Sequence, residues 1–420
     1  MKYEFYFQKF KSYGQRLITN TYFLNCLKIS KNIIEFYLDD SQKSTSSRFD
    51  FLDGYRGLCA ITVALHHMMS FFPDIKCEND VFITAGFFIG VFGFFVLSSF
   101  LLTYKMLKDF SKAATYSDFI LIILKYSIRR LFRIYFSYVV YVTLISFGPK
   151  FAKGVYTYPP WSSLILLKPT LGPNHLWTIP IEIKFYFLIP FISLFFHFSK
   201  KYWSISMLVS IAVLYKLYQG LLLYTPADVN VQISNKLYPR FPIFYAGSIV
   251  ALLYFKYESL NNEYISYLNK SKLAKMIIAL FSFYYAAYAA LRISPYLRAG
   301  MDLYGDSIHP GVKFANLLFL MLIGAPNCFT KIFGSNYALE MYGKYSFGVY
   351  LWHPSCIYIV VNLGIKTRGL GVWYYLPLLI TFGVLFYYLI ENPLMKLGNV
   401  LISKIDNYHK NKNSHILISN

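Results

Sequence analysis

Two ionisable residues stand eleven positions apart in the first strongly apolar stretch of the chain, FLDGYRGLCAITVALHHMMSFF. On a helix this spacing places Arg56 and His67 on nearly the same face, about 16 Å apart along the axis. Because a bilayer makes such side chains costly, an imidazole inside an apolar span indicates a functional site. The alternative is structural, with His67 or its neighbour His66 bonding a backbone carbonyl in a packed bundle.

A carboxylate lies at a similar depth in a later apolar stretch, NHLWTIPIEIKFYFLIP. Glu182 is about 10 Å from the start of that span at 1.5 Å per residue. A carboxylate beside a buried imidazole orients the ring and raises its basicity, so we expect Glu182 to support His67 as a general base. Alternatively, Glu182 pairs with Lys184 or caps a helix that is broken at Pro180.

A group of arginines precedes the third apolar stretch, in KYSIRRLFRIY. Arg130 and Arg133 are three residues apart and are therefore neighbours on one helix face, a geometry that suits phosphate. Ordinary enrichment of cations on the cytoplasmic side of a membrane explains them equally well. With Arg56, they would suit a long ligand that carries phosphates at one end and a reactive thioester at the other.

Four further side chains are predicted to line a substrate pocket: Ser98, Trp177, Tyr186 and His353. Trp177 also fits an interfacial anchor, and the segment around Ser98 also fits close helix packing. His353 precedes Pro354, so it either lines the site or satisfies backbone groups that the proline frees. The sequence contains no zinc motif and no nucleotide loop, so we expect neither a metal nor a permanently bound cofactor.

Composition determines the fold class. Of the 420 residues, 56% are hydrophobic and only 15% are charged, with a mean hydropathy of +0.42. These values predict an all-α integral membrane protein built as a single bundle of about ten transmembrane helices. The predicted spans are 54–73, 81–104, 131–148, 176–198, 202–224, 241–257, 273–292, 312–326, 345–363 and 371–391, and WSSLILL near residue 165 could add an eleventh.

The charge distribution predicts the orientation. The net charge of +21 comes from Lys and Arg scattered between apolar runs, which argues for membrane orientation and against nucleic-acid binding. Alternate connections hold most of these cations, so both termini are predicted to be cytoplasmic. The predicted divisions are a cytoplasmic segment 1–50 with a possible interfacial helix near 17–38, a membrane domain 51–393, and a cytoplasmic tail 394–420. The acidic loop DIKCEND would lie outside, and the sequon at Asn269 would face the cytosol.

Several of these segments together resemble the acyltransferase 3 family of multi-pass membrane enzymes. The first span resembles its LDGLRG opening with an Arg and a His eleven positions apart, here Arg56 and His67. GVFGFFVLSSF, RRLFR, HLWTIPIEIKFYFLIP and YSFGVYLWHP resemble further family motifs in the same order. The resemblance runs from residue 51 to about 393.

The resemblance implies transfer of an acyl group, often acetyl, from cytosolic acyl-CoA to a hydroxyl of a sugar, lipid or other acceptor. It implies an essential histidine at His67, with Arg56 and the Arg130 and Arg133 pair. The chain departs from the family pattern at Phe92 and Ser99, where members often have Asp and Gly. Two alternatives stay open: a transporter or proton-coupled channel that uses intramembrane His and Glu, and an inactive relative that serves as a scaffold.

Overall fold

The computed structural model describes residue 49, residue 71 and the ranges 51–69, 81–168, 175–222, 237–260, 270–298, 308–365 and 368–418. Within these residues the backbone forms helices and connecting loops, without a strand, as the composition predicted. The predicted interfacial helix near 17–38, the DIKCEND loop and Asn269 lie outside the described residues.

Helices occupy all ten predicted apolar stretches. Sixteen α-helices are described: α1 Phe51–Met69, α2 Val81–Phe110, α3 Tyr116–Arg130, α4 Phe136–Phe147, α5 Lys150–Lys153, α6 Trp161–Ile165, α7 Thr178–Phe198, α8 Trp203–Leu222, α9 Leu237–Ser259, α10 Lys272–Arg298, α11 Ile308–Gly324, α12 Cys328–Gly334, α13 Tyr337–Lys344, α14 Ser346–Asn362, α15 Arg368–Phe386 and α16 Asn392–Ile418. Single π-helical turns join α3 to α4 (Leu131–Tyr135) and α15 to α16 (Tyr387–Glu391).

Glycines set the position of α1, the helix that carries Arg56 and His67. A Cβ at Gly57 would lie 1.9 Å from the carbonyl oxygen of Leu339 in α13, and one at Gly343 would lie 1.8 Å from that of Asp53 in α1. Both distances are far below van der Waals contact, so only glycine permits the two backbones to approach this closely. The depth and rotation of α1 are therefore fixed by backbone contact with α13.

Helix α2 packs in the centre of the bundle against α1, α7 and α9. Aromatic rings fill one of these interfaces: Phe244 of α9 stacks between Phe95 of α2 and Phe185 of α7, with ring centroids 4.2 and 4.5 Å apart. Such offset stacking adds to the stabilisation that burial provides. These contacts hold one face of α2 in a fixed register against α7 and α9.

The protein is an integral membrane protein with apolar helices of spanning length. Four described helical segments are long and apolar enough to cross a bilayer: Gly90–Phe110, Tyr116–Phe147, His175–Phe198 and Leu370–His409. A fifth span is formed if Val312–Gly324 and Cys328–Gly334, which meet at 99°, act together. The predicted count of ten or eleven is not confirmed, because other predicted spans lie in shorter helices, such as the 17 residues of α14, or extend beyond the described residues.

The structure differs from the sequence-based boundaries in three places. Arg130 lies within a continuous helical segment, Tyr116–Phe147, that begins well before the predicted start of the span at 131. Pro180 is in the first turn of α7, where its missing N–H costs no helical bond, so it does not break the helix. The region expected as a tail after 393 is helical to Ile418.

Candidate active site

Three histidines from three separate elements form one cluster, in which His175 and His353 are buried and His67 is half-buried. His67 of α1 stacks on His353 of α14, with ring centroids 4.9 Å apart and planes inclined by 28°. His175, in the 3-10 turn before α7, meets His353 edge to face at 4.8 Å. His175 and His353 are only 1% and 0% exposed. The cluster concentrates groups that can accept or donate a proton away from bulk water.

Two tyrosines from the loop between α5 and α6 complete the cluster. A hydrogen bond of 2.7 Å joins Tyr156 Oη to His67 Nδ1, and a longer one of 3.3 Å joins Tyr158 Oη to His175 Nδ1. Burial raises the pKa of Tyr156 to about 12, so its hydroxyl stays protonated at neutral pH. Each tyrosine therefore holds one imidazole by its Nδ1 edge.

The loop is held in place by its contact with α14. Gly154 has a φ of +65°, and a Cβ there would lie 2.5 Å from the backbone carbon of Pro354. Nearby, the Ser355 hydroxyl donates to the Ala152 carbonyl oxygen at 2.9 Å. A glycine is required here by both the backbone conformation and the lack of space. This contact fixes the loop that carries Tyr156 and Tyr158 against the helix that carries His353.

A cavity of about 620 Å³ lies beside the cluster. One face of α2 lines it along its length, with Val91, Phe94 and Phe95 at one end and Lys105, Lys108 and Lys112 at the other. From Val91 to Lys108 the helix rises about 26 Å at 1.5 Å per residue, and Lys112 lies in the turn after the helix ends. The cavity is therefore long, apolar at one end and basic at the other.

The basic end holds an excess of positive charge. Among the described lining residues there are six basic side chains and two acidic ones, Asp109 and Glu182. The basic side chains are Arg56, Lys105, Lys108, Lys112, Arg130 and Arg133. Arg56, Arg130 and Arg133 interact electrostatically with one another, while Asp53 pairs with Arg56 at 2.7 Å and Lys108 pairs with Glu258 at 3.2 Å. Like charges held together in this way favour a ligand with several negative charges.

Glu182 lines the cavity, and its carboxylate accepts a hydrogen bond of 2.7 Å from the Tyr186 hydroxyl. The Tyr186 carbonyl accepts in turn from the Tyr126 hydroxyl at 3.0 Å. The hydrogen bond described for Glu182 is thus with Tyr186, which also lines the cavity. The contacts described for His67 are with Tyr156, His353 and His66. The support of His67 by Glu182 stays a prediction.

Tyr350 connects the cavity to the histidine cluster. It lines the cavity, and its ring lies 5.5 Å from that of His175 and 5.7 Å from that of His353. Its hydroxyl donates to the His175 carbonyl oxygen and accepts from the Thr178 hydroxyl at 2.9 Å. A group bound at this end of the cavity is therefore separated from the imidazoles by one side chain.

The two departures from the expected motif both pack against α9. Ser99 is fully buried, donates to the Val96 carbonyl at 3.0 Å, and faces Gly247 of α9, where a Cβ would lie 2.0 Å from the serine oxygen. Phe92 is also buried, and the Arg240 guanidinium lies 5.5 Å above its ring. The small residue thus stands on the opposite helix, and a cation–π contact occupies the place of an acidic side chain.

The predicted site residues separate into two neighbouring groups. Arg56, Ser98, Arg130, Arg133, Glu182 and Tyr186 line the cavity, and His67 and His353 belong to the cluster. Trp177 contacts Phe95 edge to face and lies 5.3 Å from Arg240. Within the described residues, no group of three or more His, Cys, Asp or Glu side chains is placed to hold a metal ion.

Sequence reasoning missed His175, the two loop tyrosines and the lysines of α2. A signal for Lys105 was present, because Val91, Ser98 and Lys105 recur every seven residues and so share one helix face. Tyr156 and Tyr158 lie in an irregular loop, and no periodicity indicates which histidine such residues approach. Their roles emerge only from the tertiary contact between that loop and α14.

The chain is similar to known proteins over most of its length. A family model described as an acyltransferase domain matches residues 49–392, and the motif resemblance had predicted 51 to about 393. The chain is 22% identical over 373 residues to the O-acetyltransferase OatA of Staphylococcus aureus strains NCTC 8325, COL and MRSA252, covering 83% of this chain. It spans 57% of the length of those relatives. No solved structure matches the chain.

Proposed function

Because the chain belongs to the acyltransferase domain family, as its motifs predicted, we propose that it is a membrane O-acyltransferase that takes its acyl group from acyl-CoA. The acyl group would be acetyl, and the acceptor would be a hydroxyl of a carbohydrate or lipid. The similarity to O-acetyltransferase OatA supports the choice of acetyl and of an oxygen acceptor.

One observation carries the choice of donor. The long cavity is basic at one end, and at the other end only Tyr350 separates it from the histidine cluster. Coenzyme A has three phosphate groups at one end and a flexible arm ending in the thioester. The phosphates would bind among Arg56, Arg130, Arg133 and the α2 lysines. The arm would lie along the apolar part of the α2 face and bring the thioester towards Thr178 and Tyr350.

His67 would then act on the acyl transfer step. In the tautomer whose Nδ1–H donates to Tyr156 Oη, Nε2 is the basic nitrogen of His67, which would accept the hydroxyl proton or attack the thioester carbon. In the first route, transfer requires both substrates before CoA is released. In the second, CoA is released without acceptor and the acyl group is carried by the imidazole.

The donor assignment is tested with membranes that contain the protein and labelled acetyl-CoA, followed by separation of lipid and glycan fractions. We expect label transfer above that of membranes without the protein. Substitution of Lys105 and Lys112 by Gln should raise the KM for acetyl-CoA and leave kcat little changed. The KM should rise by up to about fivefold for each ion pair lost between a lysine and a phosphate.

A matched control is the pair Lys200 and Lys201, which lie at the start of another helix and outside the cavity lining. Their substitution by Gln should leave the KM unchanged. Two findings would contradict the assignment: absence of transfer from acetyl-CoA and longer acyl-CoAs, or equal KM values for acetyl-CoA and its 3′-dephospho form in the wild type.

A further inference from the structure

The tautomer of His353 is determined by the helix that carries it. In a helix the N–H of residue 354 would donate to the carbonyl of residue 350, but Pro354 has no N–H. The freed Tyr350 carbonyl oxygen lies 2.6 Å from His353 Nδ1. Because a carbonyl can only accept, His353 Nδ1 must carry the proton and donate it.

This assignment leaves the Nε2 lone pair of His353 as the reactive edge. Among the described residues, His353 Nε2 is buried without a hydrogen-bond partner, and the residue is 0% exposed. A buried polar atom without a partner is costly, so its retention indicates a use. The ring stacks on that of His67 at 4.9 Å, and stacked rings do not bond edge to edge, so Nε2 of His353 is not occupied by the His67 imidazole.

We propose that His353 is a second catalytic base, which takes the proton of the acceptor hydroxyl in the route in which His67 carries the acyl group; this inference rests on the proposed acyltransferase function. The hydroxyl proton moves to His353 Nε2, and the oxygen forms an ester bond to the acyl carbon. CoA has left in the earlier step as the thiol, with the proton that His67 gave up on acylation, and the bond from the acyl carbon to the His67 nitrogen now breaks with its electrons on that nitrogen. The proton then passes from His353 to His67, which restores the neutral imidazole.

His353→Asn separates the chemical role from the structural one. The Asn amide nitrogen occupies nearly the place of Nδ1 and can still donate to the Tyr350 carbonyl, whereas Nε2 is lost. Transfer of labelled acetyl from acetyl-CoA is measured in membranes with equal amounts of folded protein. A general base contributes about 10²- to 10⁴-fold, so we expect kcat to fall by at least about 10²-fold with the KM for acetyl-CoA little changed.

Pro354→Ala is an independent test, because alanine restores the backbone N–H that proline lacks. Its new N–H competes for the Tyr350 carbonyl, so His353 is no longer restricted to one tautomer and kcat should fall by a smaller factor. If His353→Asn keeps kcat within about threefold of the wild type, the residue is structural and the inference is overturned.

Failure of the proposed function gives a different pattern. In that case the wild type transfers no label from acetyl-CoA, and the inference falls with it. If the wild type transfers label and His67→Ala does not, while His353→Asn does, the proposed function stands and only the second base is rejected.

Discussion

At the scale of single residues, the site depends on which edge of each imidazole is already occupied. Tyr156 holds His67 by Nδ1, and the freed Tyr350 carbonyl holds His353 by the same atom. Both contacts direct Nε2 of the ring away from its anchor. The Tyr350 carbonyl can only accept and so fixes the tautomer of His353, whereas the Tyr156 hydroxyl fixes the orientation of the His67 ring.

Tyr156→Phe should lower kcat because it removes the anchor of His67 without changing the shape of the loop. The loss of one hydrogen bond worth about 1 kcal/mol corresponds to about a fivefold lower rate. The measurement is the rate of label transfer at saturating acetyl-CoA. Tyr342→Phe is the control, because the Tyr342 hydroxyl bonds the Leu376 carbonyl in another part of the bundle. Equal rates for Tyr156→Phe and the wild type would show that His67 needs no such anchor.

Single residues also show how much of the site could be predicted from the sequence. His67, Arg56, Arg130 and Glu182 could be named because each charged or ionisable side chain stands out in an apolar stretch. The pairing between them could not be named, because a carboxylate at the depth of His67 can still face another way around its helix. Glu182 accepts from Tyr186, one turn along its own helix.

At the scale of elements, glycines and prolines decide where the site residues meet. The sequence predicted the positions of the helices from their apolar runs, since a run of sufficient length has few other conformations in a membrane. It could not predict that α1 meets α13 backbone to backbone, or that a loop glycine meets Pro354. Those contacts depend on which helices become neighbours, and periodicity carries no such information.

Gly57→Ala should destabilise the bundle and reduce activity together, because its methyl group would lie 1.9 Å from the Leu339 carbonyl oxygen. Overpacking of this kind costs about 1–3 kcal/mol, and it would displace the helix that carries His67. The thermal midpoint of the purified protein in detergent is the measurement. At Gly334 a Cβ would meet its nearest atom at 3.4 Å, so Gly334→Ala is the matched control and should be tolerated. Equal midpoints for the two variants would show that α1 can shift freely.

At the scale of the whole molecule, the structure places a basic cavity beside three imidazoles, with Tyr350 between them. Large apolar side chains on the outside, such as Phe191 at 68% and Trp373 at 80% exposed, are consistent with contact with lipid. A donor with several phosphates requires the basic end of the cavity to face the compartment that supplies acyl-CoA. The cytoplasmic termini predicted from the Lys and Arg distribution agree with that requirement.

We propose that His67 makes this cluster an acyl-transfer site whose donor is acyl-CoA. The most direct measurement compares the transfer of labelled acetyl from acetyl-CoA by the wild type, His67→Ala and His66→Ala in membranes with equal amounts of protein. His66 is the adjacent histidine and serves as the matched control. We expect the wild type and His66→Ala to transfer label and His67→Ala to lose at least about 10²-fold in rate. A His67→Ala variant that transfers label as fast as the wild type would contradict the account.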